Sequence, residues 1–145
     1  MSQEIKKALG ITLLEVLLVL AIAAMIIVMS IRYYQSASAS EVVNNVMQEM
    51  QAITATADSL SASSGNYSTV TQTQMQDQLT NVNPFTFTAG QTSYNATIRA
   101  NTSGGATGPM CTSLTSQVQN NPTLSNYRIT GCGGGQVQYS YTQSQ

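Results

Sequence analysis

The chain has 145 residues, of which 8% are charged, and its formal net charge is −1. This length allows one modest domain plus a helix, without room for a second core, and the charge excludes the basic footprint of a nucleic-acid-binding protein. Because the sequence has no His and no C-x-x-C pair, we expect neither a metal site, nor a cofactor, nor a catalytic Ser or Cys with its usual base.

The first predicted element is an apolar helix near the amino terminus. From Ile11 to Ile31 the only polar side chains are those of Thr12, Glu15 and Ser30, and at about 1.5 Å per residue this run spans about 30 Å, the thickness of a bilayer core. A cleaved secretory signal would be shorter and would end in a small-x-small site, whereas here Ala21-Ile22-Ala23 lies inside the run. We therefore predict a retained helix that spans a membrane up to about residue 31.

The basic residues that flank this run predict its orientation. Lys6 and Lys7 precede it and only Arg32 follows closely, so the amino terminus is expected in the cytoplasm and the rest on the exported side. Cys111 and Cys132 would then both lie in an oxidising compartment, where a disulfide is the default state of such a pair. Closing that loop is expected to stabilise the domain by about 3 kcal/mol.

Glu15 is the one charged residue inside the apolar run. A carboxylate at the centre of a membrane helix costs about 2.5 to 3.5 kcal/mol on insertion scales, so something must offset part of that cost. One interpretation is that Glu15 lies close enough to the start of the helix to reach interfacial water. The other is that it pairs with a cation.

The helix is predicted to continue to about residue 62, because residues 41–60 contain neither Gly nor Pro. Apolar residues here recur at spacings of three and four, which places them on one stripe. The stripe consists of Val43, Val46, Met50, Ile53, Ala57 and Leu60. We expect it to pack on the carboxyl half of the chain, since an independent coiled coil would need more heptads.

Residues 63–145 are predicted to form a globular α+β part. Gly65 follows the long helix as a stop signal, and a short helix over residues 71–79 should bury Met75 and Leu79. Alternating residues predict a hairpin of strands at 85–88 and 94–100, then, after a helix that begins at Pro109, strands at 127–129 and 137–141. Gly131–Gly135 is expected to be a flexible turn. The fold class is therefore a long amino-terminal helix packed on a carboxyl-terminal antiparallel sheet.

The carboxylates beyond the apolar run are scattered over predicted helix and loop positions rather than clustered. They are Glu41, Glu49, Asp58 and Asp77. We interpret them as solvent-facing groups rather than as acid–base catalysts.

The amino terminus resembles the class III signal of type IV prepilins. The matching features are Lys6-Lys7, then Gly10, and then an apolar residue, Thr12, two leucines and Glu15. The Thr-Leu-Leu-Glu-Val run is most similar to the type IVb branch. Two weaker similarities are the Gly-Asn-Tyr after the helix and a region bracketed by two cysteines near the carboxyl end, which in this family is called the D-region.

This resemblance implies that residues 1–10 are a leader. A prepilin peptidase would cut after Gly10 and methylate the new amino terminus at Ile11. Glu15 would be the fifth residue of the mature chain, which in this family pairs with the terminal amine of a neighbouring subunit. Since residues i and i+4 are neighbours on a helix, Glu15 could instead face its own Ile11 amine until a partner arrives.

The function implied by the resemblance is structural. The prepilin would reside in a bacterial inner membrane and then assemble, through an inner-membrane platform, into an extracellular helical filament of identical subunits that serves adhesion, aggregation or conjugative contact. Nucleic acid is not an expected partner of the subunit itself. The alternatives are a pseudopilin of a type II secretion system, a minor pilin, or a membrane-tethered binding module that never polymerises.

Overall fold

The computed structural model describes residues 2–100 and 108–144, with side chains from residue 12 onward. The chain divides into two units, residues 1–37 and 38–145. Its helices and strands are α1 (Ser2–Ser61), α2 (Gln72–Gln78), β1 (Phe85–Ala89), β2 (Ser93–Arg99), α3 (Pro109–Asn120), β3 (Tyr127–Gly133) and β4 (Gln136–Thr142). Two 3-10 turns, Tyr67–Thr69 and Pro122–Leu124, connect them.

Helix α1 begins earlier than the sequence analysis expected. The apolar run predicts a helix from Ile11, after the expected leader, yet the helix starts at Ser2. The residues between Glu4 and Leu9 include good helix formers and no Pro, and a single interior glycine such as Gly10 costs only about 1 kcal/mol relative to Ala. One glycine is therefore insufficient to end this helix.

The end of α1 agrees with the prediction. The helix stops at Ser61, and Gly65 adopts a left-handed φ of +70°. The amide of Gly65 donates to the carbonyl of Ser61 at 2.8 Å, which satisfies one of the last free carbonyls of the helix.

In the second unit, the predicted apolar stripe of α1 is buried. Val43, Val46, Met50, Ile53 and Ala57 are all at most 2% exposed and belong to one core with the inner face of the sheet. Leu60, at the end of the stripe, is only partly buried. The prediction of a helix packed on an antiparallel sheet is confirmed.

The four strands form one antiparallel sheet in the order β1-β2-β4-β3. Along the strands, side chains that point into the core alternate with side chains that point outward, as the period of two predicted. The inner residues are Phe85, Phe87, Tyr94, Ala96, Ile98, Val137, Tyr139 and Tyr141. The β1–β2 hairpin is present with Phe85 opposite Ile98 and Phe87 opposite Ala96.

The predicted turn over Gly131–Gly135 is wrong in extent. Strand β3 continues through Gly133, with Gly131 opposite Gln138 and Gly133 opposite Gln136, after a register shift that follows Ile129. Only Gly134 and Gly135 form the connection, with left-handed φ values of +61° and +78°. Pairing with β4 thus extends a glycine-rich segment that has little strand preference of its own.

Helix α2 covers Gln72–Gln78, one residue shorter at each end than predicted, and it buries Met75. Its first residue also contacts the edge of the sheet. The Gln72 side-chain amide donates to the carbonyl of Phe85 at 2.8 Å and accepts from the amide of Phe87. One side chain thus satisfies a donor and an acceptor of edge strand β1.

Helix α3 begins at Pro109 as predicted and buries Met110, Cys111, Leu114 and Val118. A disulfide joins Cys111 on α3 to Cys132 on β3, with Cα atoms 5.8 Å apart. The predicted bond is confirmed, and it links a helix to a strand 21 residues later in the chain.

Candidate functional site

The first candidate site is the apolar part of α1. Fourteen large aliphatic side chains between Leu13 and Ile31 are each 52% to 70% exposed. A helix that packed one face on its own domain would bury a stripe, whereas here every described position from residue 12 to 37 is exposed. The segment is long and apolar enough to cross a membrane, and an exposed apolar surface of this extent marks a site of contact with lipid or other protein.

Glu15 interrupts this surface. It lies on the same side of the helix as Thr12, three residues before it, and Val19, four residues after it. No described side chain forms an ion pair or hydrogen bond with its carboxylate. A carboxylate surrounded by apolar side chains needs a cation or strong donors once water is removed, so this position is the chemically distinctive point of the segment.

The other polar residue deep in the segment behaves differently. The Ser30 hydroxyl donates to the carbonyl of Ile26 at 2.9 Å, so it is satisfied by its own helix. Beyond it, Tyr33 and Tyr34 are 80% and 75% exposed, as aromatic residues at a membrane–water interface would be. The Glu15 carboxylate, unlike the Ser30 hydroxyl, makes no hydrogen bond to a described residue of its own helix.

The predicted processing residues lie one turn before Glu15. Gly10 and Ile11 are both within α1, and the side chain of Ile11 lies outside the described residues. Because residues 11 and 15 are one helical turn apart, an amine on Ile11 and the Glu15 carboxylate would belong to the same side of one helix. The pairing of these groups stays a prediction.

A second polar feature lies inside the globular unit and was missed by the sequence analysis. Thr54 is 7% exposed, and its hydroxyl donates to the carbonyl of Met50 at 2.9 Å. Its oxygen accepts from the Tyr127 hydroxyl at 2.7 Å and is also hydrogen-bonded to the Tyr94 hydroxyl. The position of Thr54 next to the apolar stripe could have indicated that its hydroxyl is buried and therefore hydrogen-bonded, since a buried hydroxyl needs partners.

Glu49 is another group that sequence reasoning placed wrongly. We expected a solvent-facing carboxylate, but Glu49 is half-buried, and its Oε1 accepts from Asn83 Nδ2 at 2.7 Å. Its Oε2 is buried without a hydrogen-bond partner among the described residues. Burial raises the pKa of Glu49, and the hydrogen bonds from Asn83 oppose this rise without cancelling it.

The remaining carboxylates of the globular unit lie on its surface. Asp58 is exposed and accepts a hydrogen bond from the buried Tyr67 hydroxyl, while Glu41 and Asp77 are exposed as predicted. Among the described residues, no three Cys, Asp or Glu side chains lie together as metal ligands. The side chains of Glu49, Thr54 and Asp58 connect α1 to the loops and strands of this unit.

The chain thus has two units, an apolar helical segment with a single carboxylate and a packed α+β unit. Comparisons of the chain with protein-family models, with curated proteins and with solved structures found no match.

Proposed function

We propose that this chain is the structural subunit of a type IV pilus. In this proposal the apolar part of α1 holds the prepilin in the inner membrane, a prepilin peptidase removes residues 1–10, and the subunits then assemble through the same helix into an extracellular filament. The observation that carries the proposal is the position of Glu15. It is the one carboxylate on an otherwise apolar, exposed helical segment, five residues after the glycine that follows Lys6-Lys7.

The proposal gives the exposed aliphatic side chains two successive environments. In the membrane they contact lipid, and in the filament they would contact the same segments of neighbouring subunits, so they remain out of water throughout. Because all sides of the segment are apolar, this requires neighbours on all sides. A bundle of helices in the filament core supplies them.

Glu15 would then determine how neighbouring helices align. Cleavage after Gly10 creates a new amine at Ile11, and this cation is the natural partner for a carboxylate in an apolar core. Leaving one member of a buried ion pair without its partner costs about 3 to 5 kcal/mol. An axial offset that brings a neighbour's amine to Glu15 would avoid that cost.

The folded unit supports an exported location. The Cys111–Cys132 bond would persist in an oxidising compartment and would be rare in the cytosol. The basic residues before the apolar segment favour the same orientation. The globular unit would therefore be displayed on the outside of the filament.

The decisive measurement is the mass of the amino-terminal peptide in material sheared from the cell surface. A peptide that starts at Ile11 and is heavier by one methyl group would support processing and export together. A chain that starts at Ile11 but stays in the membrane fraction would favour a pseudopilin or a minor pilin. An intact leader in cells with an active peptidase would contradict the proposal and favour a simple membrane tether.

A pair of variants controls this measurement. Gly10→Val should leave the leader attached, because a branched side chain replaces the glycine at the proposed cut. Ala8→Val adds the same kind of bulk two residues earlier and should still be processed. Equal processing of both variants would argue against a cut after Gly10.

A further inference from the structure

The outer face of the sheet differs in charge from the rest of the globular unit. Strands β1 to β4 contain no Asp or Glu, but they carry Arg99 and Arg128, and both side chains are exposed. The carboxylates of this unit are instead on α1 and α2: Glu41, Glu49, Asp58 and Asp77. The sheet face is therefore a positive surface on a chain whose net charge is −1.

Arg99 lies in a depression of about 490 Å³ on this face. The other polar side chains that line it are Thr86, Thr97, Gln136 and Gln138. Strand register brings them together, since Thr97 is opposite both Thr86 and Gln138, and Arg99 is opposite Gln136.

Backbone hydrogen bonds fix the position of Arg99 within the sheet. Its amide donates to the carbonyl of Pro84 at 3.0 Å, and the next amide, of Ala100, donates to the carbonyl of Gly135 at 3.0 Å. No carboxylate among the described residues pairs with the Arg99 guanidinium. The depression thus has a hydrogen-bonded strand as its floor and one cation, Arg99, without a carboxylate partner among the described residues.

A second depression, of about 470 Å³, continues from the first across β4 and β3. The two share Gln136 and Gln138, and the second is otherwise lined by residues 131–134, at the end of β3 and the start of the following turn. A Cβ atom at Gly131 would lie 3.0 Å from Gln138 Oε1, so the absence of a side chain there leaves room for the Gln138 amide. We call the two depressions together the sheet trough.

The lining of the sheet trough selects a class of ligand. A guanidinium fork binds a carboxylate through two parallel hydrogen bonds, while glutamine amides and threonine hydroxyls can each donate to and accept from alcohol groups. A ligand with both kinds of group is a sugar chain that carries carboxylates. Nucleic acid fits less well, because its dense phosphates call for many cations and the trough has one.

We propose that the sheet trough binds an acidic saccharide, with Arg99 on a sugar carboxylate and Thr97, Gln136 and Gln138 on neighbouring hydroxyls. This inference concerns the globular unit and does not depend on filament assembly. In a filament, however, repeated copies of a weak site would bind a long polysaccharide with avidity.

The test uses the full-length chain in detergent micelles, titrated with an oligomer of galacturonic acid and, separately, with a neutral galactose oligomer of the same length. Binding is measured by calorimetry, and NMR shift changes locate it. We expect the acidic oligomer to bind and to shift the signals of Thr97, Gln136 and Gln138, while the neutral oligomer binds at least about tenfold more weakly because it lacks the charge-assisted hydrogen bonds. Absence of binding by the acidic oligomer would overturn the proposal.

Two arginine variants distinguish binding in the sheet trough from general electrostatic attraction of the acidic oligomer to the sheet face. Arg99→Gln should weaken binding by about tenfold or more, since it removes a bidentate charged contact. Arg128→Gln makes the same change on the same face but outside the sheet trough, and it should change affinity by no more than about twofold. Equal losses in the two variants, or equally tight binding of duplex DNA at the same salt concentration, would overturn the assignment.

A third variant alters the trough without changing charge. Gly131→Ala should displace the Gln138 side chain and weaken binding of the acidic oligomer, while the Cys111–Cys132 bond and the circular dichroism spectrum report whether the fold is intact. Unchanged affinity together with an unchanged Gln138 side-chain signal would argue against a role for this end of the trough.

Discussion

The two parts of helix α1 have the same backbone conformation but use apolar side chains in opposite ways. From Leu13 to Ile31 the large aliphatic side chains are exposed on every side, whereas from Val43 to Ala57 they form a buried stripe. The later part is amphipathic, and it packs its apolar face against the core of the globular unit. The earlier part has no preferred face, and it is long and apolar enough to cross a membrane.

The largest expected effect comes from removing the one charge in the exposed part. We expect Glu15→Val to keep membrane insertion, because it makes the segment more apolar, but to reduce filament yield at least about tenfold, since the partner amine would then be buried unpaired. Electron microscopy and the amount of sheared surface protein measure this. Glu41→Gln, which removes an exposed carboxylate later in α1, is the control. Normal filament yield from Glu15→Val would refute the assembly role.

A matched pair of truncations compares the two parts directly. Ile53→Ala should lower the free energy of unfolding of the globular unit by about 2 to 5 kcal/mol, because Ile53 is 0% exposed in the core. Ile26→Ala, at a side chain that is 58% exposed, should change it by less than about 0.5 kcal/mol. Urea unfolding of the full chain in micelles, followed by tyrosine circular dichroism, provides the measurement. Similar effects at both positions would contradict the distinction drawn between the two parts.

The disulfide tests how far the packed unit depends on a covalent link. Replacing both Cys111 and Cys132 by Ser should destabilise it by about 3 kcal/mol, mainly because the unfolded chain gains freedom. Urea titrations of this variant and of the disulfide-bonded chain measure the loss in free energy of unfolding. An unchanged urea midpoint would show that the disulfide does not stabilise the globular unit.

A smaller loss is expected from the hydroxyl that joins α1 to two strands. Thr54→Val keeps the volume but leaves the Tyr94 and Tyr127 hydroxyls without this partner, which should cost about 1 to 3 kcal/mol. Thr56→Val, at a half-buried position on the same helix, is the control and should cost less than about 0.5 kcal/mol. If both variants have the same stability, the hydrogen bonds to Thr54 contribute little.

The smallest effect is a pH dependence at Glu49. Burial raises its pKa in the folded state, so the folded state holds its proton more tightly than the unfolded state. Stability should therefore fall as pH rises from about 4.5, the ordinary pKa, through the raised pKa. Because the group is only half-buried and therefore screened, we expect less than about 1 kcal/mol in total. Glu49→Gln should flatten this part of the pH profile, and an unchanged profile in that variant would assign the dependence to another group.

The sequence predicted the elements whose signals are local. The stripe of α1, the alternation of the hairpin strands and the start of α3 at Pro109 all follow from the spacing of nearby residues, and the structure confirms each. Glu15 also stood out from its neighbours alone. These features needed no knowledge of distant parts of the chain.

The features that were missed depend on distant contacts. Glu49 meets Asn83 34 residues later, and Tyr127 meets Thr54 across 73 residues. The extension of β3 into its glycines likewise depends on pairing with β4. The sheet trough requires the register of all four strands, so no spacing within one strand could have indicated it.

The contact of Gln72 with strand β1 has a consequence for aggregation. An open strand edge presents free amides and carbonyls on which another chain can add a strand, and this is a common start of aggregation. The Gln72 amide occupies one donor and one acceptor of that edge. In the proposed pilin, this contact would leave fewer free groups on β1 to which a neighbouring subunit could add a strand.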